Sequence, residues 1–105
     1  MSPEAEIFKT LGDPTRRAVF ERLATREMSV SELTTGFSVS QPAISQHLAA
    51  LRAAGLVCER REGRFAYYRA DPEGLAPLMD WIGRYRAFWP ERIERLKTVL
   101  RGMDQ

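Results

Sequence analysis

Ser40-Gln41-Pro42-Ala43-Ile44-Ser45-Gln46-His47-Leu48-Ala49-Ala50-Leu51-Arg52-Ala53-Ala54-Gly55-Leu56 is the stretch on which the reading of this 105-residue chain turns. Ser40 is a good N-cap, because its hydroxyl can accept from an unpaired backbone N–H of the first turn. Gln41 and Pro42 follow, and proline is tolerated there because first-turn N–H groups have no intrahelical partner. Gly55 stands where a left-handed residue closes a helix. The stretch therefore predicts a helix of about four turns, framed at both ends.

Ile44, Leu48 and Leu51 repeat at i, i+4, i+7 and form a narrow stripe that must face a core. Away from it the first two turns carry Gln41, Ser45 and Gln46, with small Ala43 among them and few charges. Side chains that both donate and accept suit a helix laid in the DNA major groove, where Gln bonds adenine edges bidentately and Ser bonds several bases. On composition alone a Gln- and Ser-rich surface helix fits equally well. What surrounds the helix decides between them.

Working outward, Ser29-Val30-Ser31-Glu32 matches a capping box, in which serine and glutamate satisfy each other's backbone N–H groups. It opens a short helix through Leu33 to Thr35. Gly36-Phe37-Ser38-Val39 then joins that helix to the one at Ser40. Two short helices meeting through a four-residue turn that contains Gly form a helix-turn-helix. Upstream, residues 4–11 read as a short helix with Ile7, Phe8 and Leu11 on one side, ended by Gly12. Asp13 caps a second helix with Pro14 at its first position, and Val19, Phe20 and Leu23 supply its buried stripe. Arg16 and Arg17 lie in its first turn, where the helix dipole disfavours cations. They read either as solvated charges or as a sign of an anionic partner.

Downstream of Gly55 the pattern becomes strand. Residues 57–61, the turn Glu62-Gly63 and residues 64–69 make a hairpin, with Phe65, Tyr67 and Tyr68 supplying strand propensity. Arg60, Arg61 and Arg64 stand around the turn against Glu59 and Glu62. An arginine-tipped hairpin after a helix-turn-helix is a wing whose tip can reach phosphates or a minor groove. Its other reading is an edge hairpin blunted by charge. From Gly74 onward Leu75, Leu78, Ile82, Tyr85, Trp89, Ile93, Leu96 and Leu100 step close to the 3.5-residue spacing of a helix–helix seam. Trp81 and Phe88 add a second apolar edge. This helix looks too apolar for its own small domain, and a second subunit is the natural acceptor. Pro90 predicts a kink or break near Phe88 and Trp89.

The totals fit. Hydrophobic content is 44% and charged content 29%, ordinary for one soluble domain with a modest core. No apolar run approaches the roughly 20 residues of a membrane span, and the first residues lack the basic and apolar regions of a signal peptide, so a bacterial-type cytoplasm is the expected location. Sixteen bases oppose 14 acids. The excess lies in residues 13–70, where nine Arg face six acids, a balance of +3. One cysteine, Cys58, and one histidine, His47, are too few for a zinc site of three or four such ligands. No Ser/Cys–His–acid set and no phosphate-cradling Gly-rich loop is present, so an enzyme is not expected.

These features together resemble the ArsR/SmtB family of bacterial winged-helix repressors. The resemblance is carried by Leu11-Gly12-Asp13-Pro14-Thr15-Arg16-Arg17, Ser29-Val30-Ser31-Glu32-Leu33, the Ser40 to Leu48 run with Leu51-Arg52-Ala53-Ala54-Gly55-Leu56-Val57, and Arg60-Arg61-Glu62-Gly63-Arg64 with Tyr67-Tyr68. Trp81, Tyr85, Phe88-Trp89 and Leu96 resemble its metal-independent, SdpR-like branch. The resemblance implies one mainly α domain of order α-α-α-α-β-β-α with a β-hairpin wing. Residues 13–70 would bind DNA, and residues 1–12 and 74–101 would join a homodimer through Ile7, Phe8, Leu11, Leu78, Trp81, Ile82, Tyr85, Phe88, Trp89, Ile93 and Leu96. The partner would be double-stranded DNA with an inverted repeat, its half-sites about one helical turn apart.

Gln41, Ser45 and Gln46 would read bases, with Pro42 and Ala43 beside them. Ser40, His47, Arg16 and Arg17 would lie near phosphate, and Arg60, Arg61, Arg64 and Tyr67 would act from the wing. No cofactor or metal is expected. The family's arsenic-type sensors carry cysteines where this chain has Ser29 and Ser31, and residues 75–100 contain no histidine for a zinc-type site. Two alternatives stay open: a repressor with an apolar effector pocket among the C-terminal aromatics, and a winged-helix protein-interaction module.

Overall fold

Side-chain caps start most of the helices. In the computed structural model, which describes residues 2–86 and 90–103, Ser2 caps α1 (Pro3–Leu11) and Asp13 caps α2 (Pro14–Thr25), its Oδ1 accepting the Arg16 backbone N–H at 3.0 Å. A two-residue strand β1 (Met28–Ser29) leads into α3 (Val30–Thr34). Both halves of the capping box form, with Glu32 N–H donating to Ser29 Oγ at 3.2 Å and Ser29 N–H to Glu32 Oε1 at 3.1 Å. Ser40 caps α4 (Gln41–Ala53), and β2 (Val57–Glu62), β3 (Phe65–Ala70), a 3₁₀ turn (Pro72–Leu75), α5 (Ala76–Tyr85) and α6 (Pro90–Met103) follow.

The core gathers Ile7 from α1, Val19 and Leu23 from α2, Met28, Leu33, the Ile44/Leu48/Leu51 stripe of α4, and Leu56 and Val57 at the start of the wing. Burial of the α4 stripe is complete or nearly so, each residue being at most 2% exposed. At about 25 cal/mol per Å² of apolar surface removed from water, each such side chain contributes roughly 1.5–3 kcal/mol. This contact fixes which face of α4 is left for solvent.

The sheet holds three antiparallel strands in the order β1-β3-β2, one more than the hairpin the sequence predicts. Met28 pairs with Tyr68 and Ser29 with Tyr67. Two residues carry no periodicity, which is why β1 is invisible in the sequence. Glu62 pairs with Phe65, so the turn is Gly63-Arg64, one residue later than expected. Gly63 has φ 59°, which places the positive-φ glycine at the first central position of the turn.

The C-terminal segment is predicted as an apolar helical run, kinked or broken near Phe88 and Trp89, with a second subunit as its natural acceptor. In the structure it is a 3₁₀ turn and two helices, and α5 packs on its own chain: the Phe8 and Trp81 rings meet edge to face at 5.1 Å, and Leu75 and Leu78 close over the core. The break expected at Phe88 and Trp89, the place of those two residues in an interface, and the side chain of Ile93 lie outside the described residues. By contrast α6 exposes Leu96, Val99 and Leu100, each more than half accessible. The radius of gyration is 17.3 Å, against about 13 Å for a compact chain of this length. No helix among the described residues is long and apolar enough to cross a membrane.

Among the described residues, three carboxylates sit below their ordinary range. The Arg16 backbone N–H does this for Asp13, the Ser29 backbone N–H and then Arg26 for Glu32, and Arg60 for Glu27. A depressed carboxylate stabilises the fold above its unfolded pKa, and that contribution is lost as pH falls through the folded value. The thermal midpoint is therefore expected to begin falling near the ordinary values of 4.5 for Glu and 3.8 for Asp. Unfolding followed by circular dichroism from pH 7 to pH 2.5 measures this, and Glu32→Gln should make the acid loss smaller.

Candidate nucleic-acid interface

The buried stripe of α4 turns its other side outward. Gln41, Pro42, Ser45 and Gln46 are exposed there, and Ala43 and His47 are half-buried at its margin. The Ser40 hydroxyl is engaged as the cap, accepting from Ala43 N–H. His47 Nδ1 accepts from Arg16 Nε at 3.4 Å, a link between α2 and α4. With Nδ1 an acceptor, the ring keeps Nε2–H as its donor.

The first-turn cations of α2 are thus tied locally. Arg17 Nη1 donates to the Leu11 carbonyl at 2.8 Å, where the C-terminal end of α1 favours a positive charge. Arg22 lies over the Phe37 ring at 5.7 Å and donates to the Gly36 carbonyl, bracing the turn between α3 and α4.

The wing arginines divide into held and free. Arg60 forms a bidentate pair with Glu27, Nε–Oε2 at 3.2 Å and Nη2–Oε1 at 2.6 Å, donates through Nη1 to Glu62, and covers the Tyr67 ring at 4.8 Å. These acids raise the Arg60 pKa further above its already high value, Glu27 most. Arg61 donates from Nε to Glu59 at 2.8 Å. Arg64, at the turn, makes no ion pair or hydrogen bond among the described residues. It lines a hollow of about 230 Å³ with Ser29, Val30, Ser31, Phe65 and Ala66.

Four residues at this surface fall outside the DNA-contacting set expected from the sequence. Phe65 is 62% exposed next to Arg64, and alternation with the inward Tyr68 and Ala70 was the available signal. Arg52 and Glu59 form an ion pair between the last turn of α4 and β2. Tyr68, opposite Glu59 in the sheet, donates its hydroxyl to the same carboxylate at 3.2 Å. Burial, and then the Glu59 charge, push the Tyr68 phenol above its ordinary range, so it remains a donor.

Chemically the surface is one for holding a ligand by shape and hydrogen bonds. The partner of His47 is an arginine, and the Cys58 thiol lies 3.6 Å from Asp71 Oδ2, away from His47's contacts. An uncharged donor–acceptor face backed by a rigid stripe, with a cation on an adjoining hairpin, matches base edges beside phosphates.

Comparison with known proteins agrees. Residues 13–58 match the family described as "Bacterial regulatory protein, arsR family". The HTH-type transcriptional regulator Rv2034 of Mycobacterium tuberculosis is 46% identical over 84 residues, 80% of this chain and 78% of that protein. The transcriptional repressor SdpR of Bacillus subtilis is 33% identical over 76 residues, 72% of this chain and 84% of that one. A solved ArsR-like transcriptional regulator from Rhodococcus sp. RHA1 aligns with a TM-score of 0.74 at 35% identity, covering 92% of each chain. Since the matched segment holds α2, α3 and α4, the elements that build and present the polar face, fold and surface lead to one conclusion: the chain belongs to the arsR family of bacterial regulatory proteins, DNA-binding regulators of transcription and not enzymes.

Proposed function

We propose that the chain is a homodimeric repressor that grips an inverted-repeat operator and has no metal-sensing site. The observation that carries this reading is the exposed, uncharged start of α4, with Gln41, Ser45 and Gln46 on a helix whose opposite face is buried. Gln41, Ser45 and Gln46 read bases; Arg64 reaches phosphate from the wing. The exposed Leu96, Val99 and Leu100 on α6 support association of two copies. Repression is supported by the name of the SdpR relative, and follows from occupying a promoter without any chemistry.

The metal-independent part rests on the donors present. Ser29 is spent on the capping box, and the lone cysteine and the lone histidine are set against Asp71 and Arg16. Phe8 packed on Trp81 supports a filled aromatic cluster in preference to an effector pocket.

Titration against fragments of the protein's own promoter region, at two salt concentrations and with and without a chelator, tests the reading. Saturable preference for one inverted repeat, weakened by salt and unchanged by chelator, is expected. No salt-dependent DNA binding would favour a protein-interaction module instead. Arg64→Ala should weaken specific and random DNA alike and flatten the salt slope by about one unit for each Arg64 engaged.

A further inference from the structure

We infer that Glu59 is a specificity-determining residue, which holds Arg52 and Arg61 on one carboxylate and so restrains their grip on phosphate. The inference rests on the DNA-binding reading above and adds a residue of opposite charge to it.

The Glu59 side chain is 8% exposed, whereas those of Arg52 and Arg61 are 60% and 77% exposed. Its Oε1 accepts from Arg61 Nε; its Oε2 accepts from Arg52 Nη1 and from the Tyr68 hydroxyl. The donors come from α4, β2 and β3. A carboxylate this enclosed is tolerated only with such partners.

Two unpaired arginines here would attract any duplex, because phosphate attraction carries no sequence information. With Glu59 between them the group has a net charge of +1 in place of +2. Each guanidinium keeps other N–H donors in a rigid fork, fixed in direction by the bond it has already made. Phosphate is then favoured where the backbone passes those forks, and less elsewhere. The arrangement adjoins the reading face: a hollow of about 450 Å³ runs from Ser45 to Arg52 and Tyr68. Such an element raises discrimination by penalising wrong placements, at some cost in total affinity.

The test compares native protein, Glu59→Gln, Arg61→Gln and the double variant. Each is titrated against a promoter fragment carrying the inverted repeat and a scrambled duplex of equal length, over a salt series. For Glu59→Gln the affinity for scrambled DNA should rise about three- to tenfold, its salt slope should steepen by about one to two units, and the preference for the repeat should fall about tenfold. Arg61→Gln should weaken the native protein on both duplexes, yet cost more scrambled-DNA affinity in the Glu59→Gln background, where its guanidinium is unrestrained, a non-additive cycle. Equal loss on both duplexes for Glu59→Gln would make it only a structural brace and overturn the inference. An equal effect of Arg61→Gln in the native and Glu59→Gln backgrounds overturns it too, and needs only a change at an exposed residue that leaves the core intact. Native protein that binds neither duplex would overturn the DNA-binding reading itself, a separate result.

Discussion

Replacing Gly74 with alanine is expected to lower the thermal midpoint by about 10–20 °C, for an overpacking cost of about 2–3 kcal/mol in a domain of this size. A Cβ at Gly74 would lie 2.1 Å from the Gly55 carbonyl oxygen, 2.9 Å from its carbonyl carbon and 3.2 Å from Leu56 Cα. All three are backbone atoms. Gly55 itself has φ 76°, a left-handed conformation that closes α4, and Leu56 O accepts from Asp71 N–H at 2.8 Å. Neither side of the contact has room to retreat.

Gly36→Ala is the informative control, because a Cβ there would lie 2.0 Å from Arg22 Nη1, an equally severe overlap on paper. The obstacle is the tip of a flexible, exposed side chain, which can swing away. Its loss should stay within about 1 kcal/mol. Calorimetry of both variants would separate the two cases, and equal losses would show that the contact at Gly74 is not the rigid one.

Gln41→Ala is expected to have the largest effect on recognition. A good bidentate contact to a base is worth about 1–3 kcal/mol of discrimination. A two-fold complex loses it in both half-sites, so operator preference should fall at least about 30-fold when the two losses add. Gln41 is exposed, so stability should change by no more than about 0.5 kcal/mol. The readout is the ratio of operator to scrambled-DNA affinity, together with a set of operators changed one base pair at a time. Loss concentrated at one symmetric pair of positions is the expected pattern. Uniform loss would mean that Gln41 touches the backbone and not a base.

Local chemistry made much of the fold legible. Asp13, Ser29 and Ser40 cap where their hydrogen-bonding groups dictate, and the i, i+4, i+7 stripe of α4 is buried as its spacing requires. Long-range pairing was not legible. Glu27 and Arg60 are 33 residues apart in the chain and meet because β1 joins the sheet, and a two-residue strand leaves no trace in hydrophobic periodicity. The wing arginines could be read as a positive cluster, whereas the bidentate hold on Arg60 depended on that pairing. The aromatic C-terminal segment was read as apolar surplus, and Phe8 meeting Trp81 shows that part of the surplus is taken up within the chain.

Ser29 belongs to two elements at once. It pairs with Tyr67 in the sheet while its hydroxyl caps α3, so the wing and the helix pair α3–α4 share a residue. Glu27 with Arg60, and Glu59 with Arg52, cross the same seam. Swinging the wing without the helices would break the ladder, the cap and the ion pairs together. In the proposed dimer each copy is then a caliper jaw with its tip set, and the reach between the two tips is fixed by how the copies join. An operator of wrong spacing would be rejected even with both half-sites perfect in sequence, because neither jaw can lean to meet it.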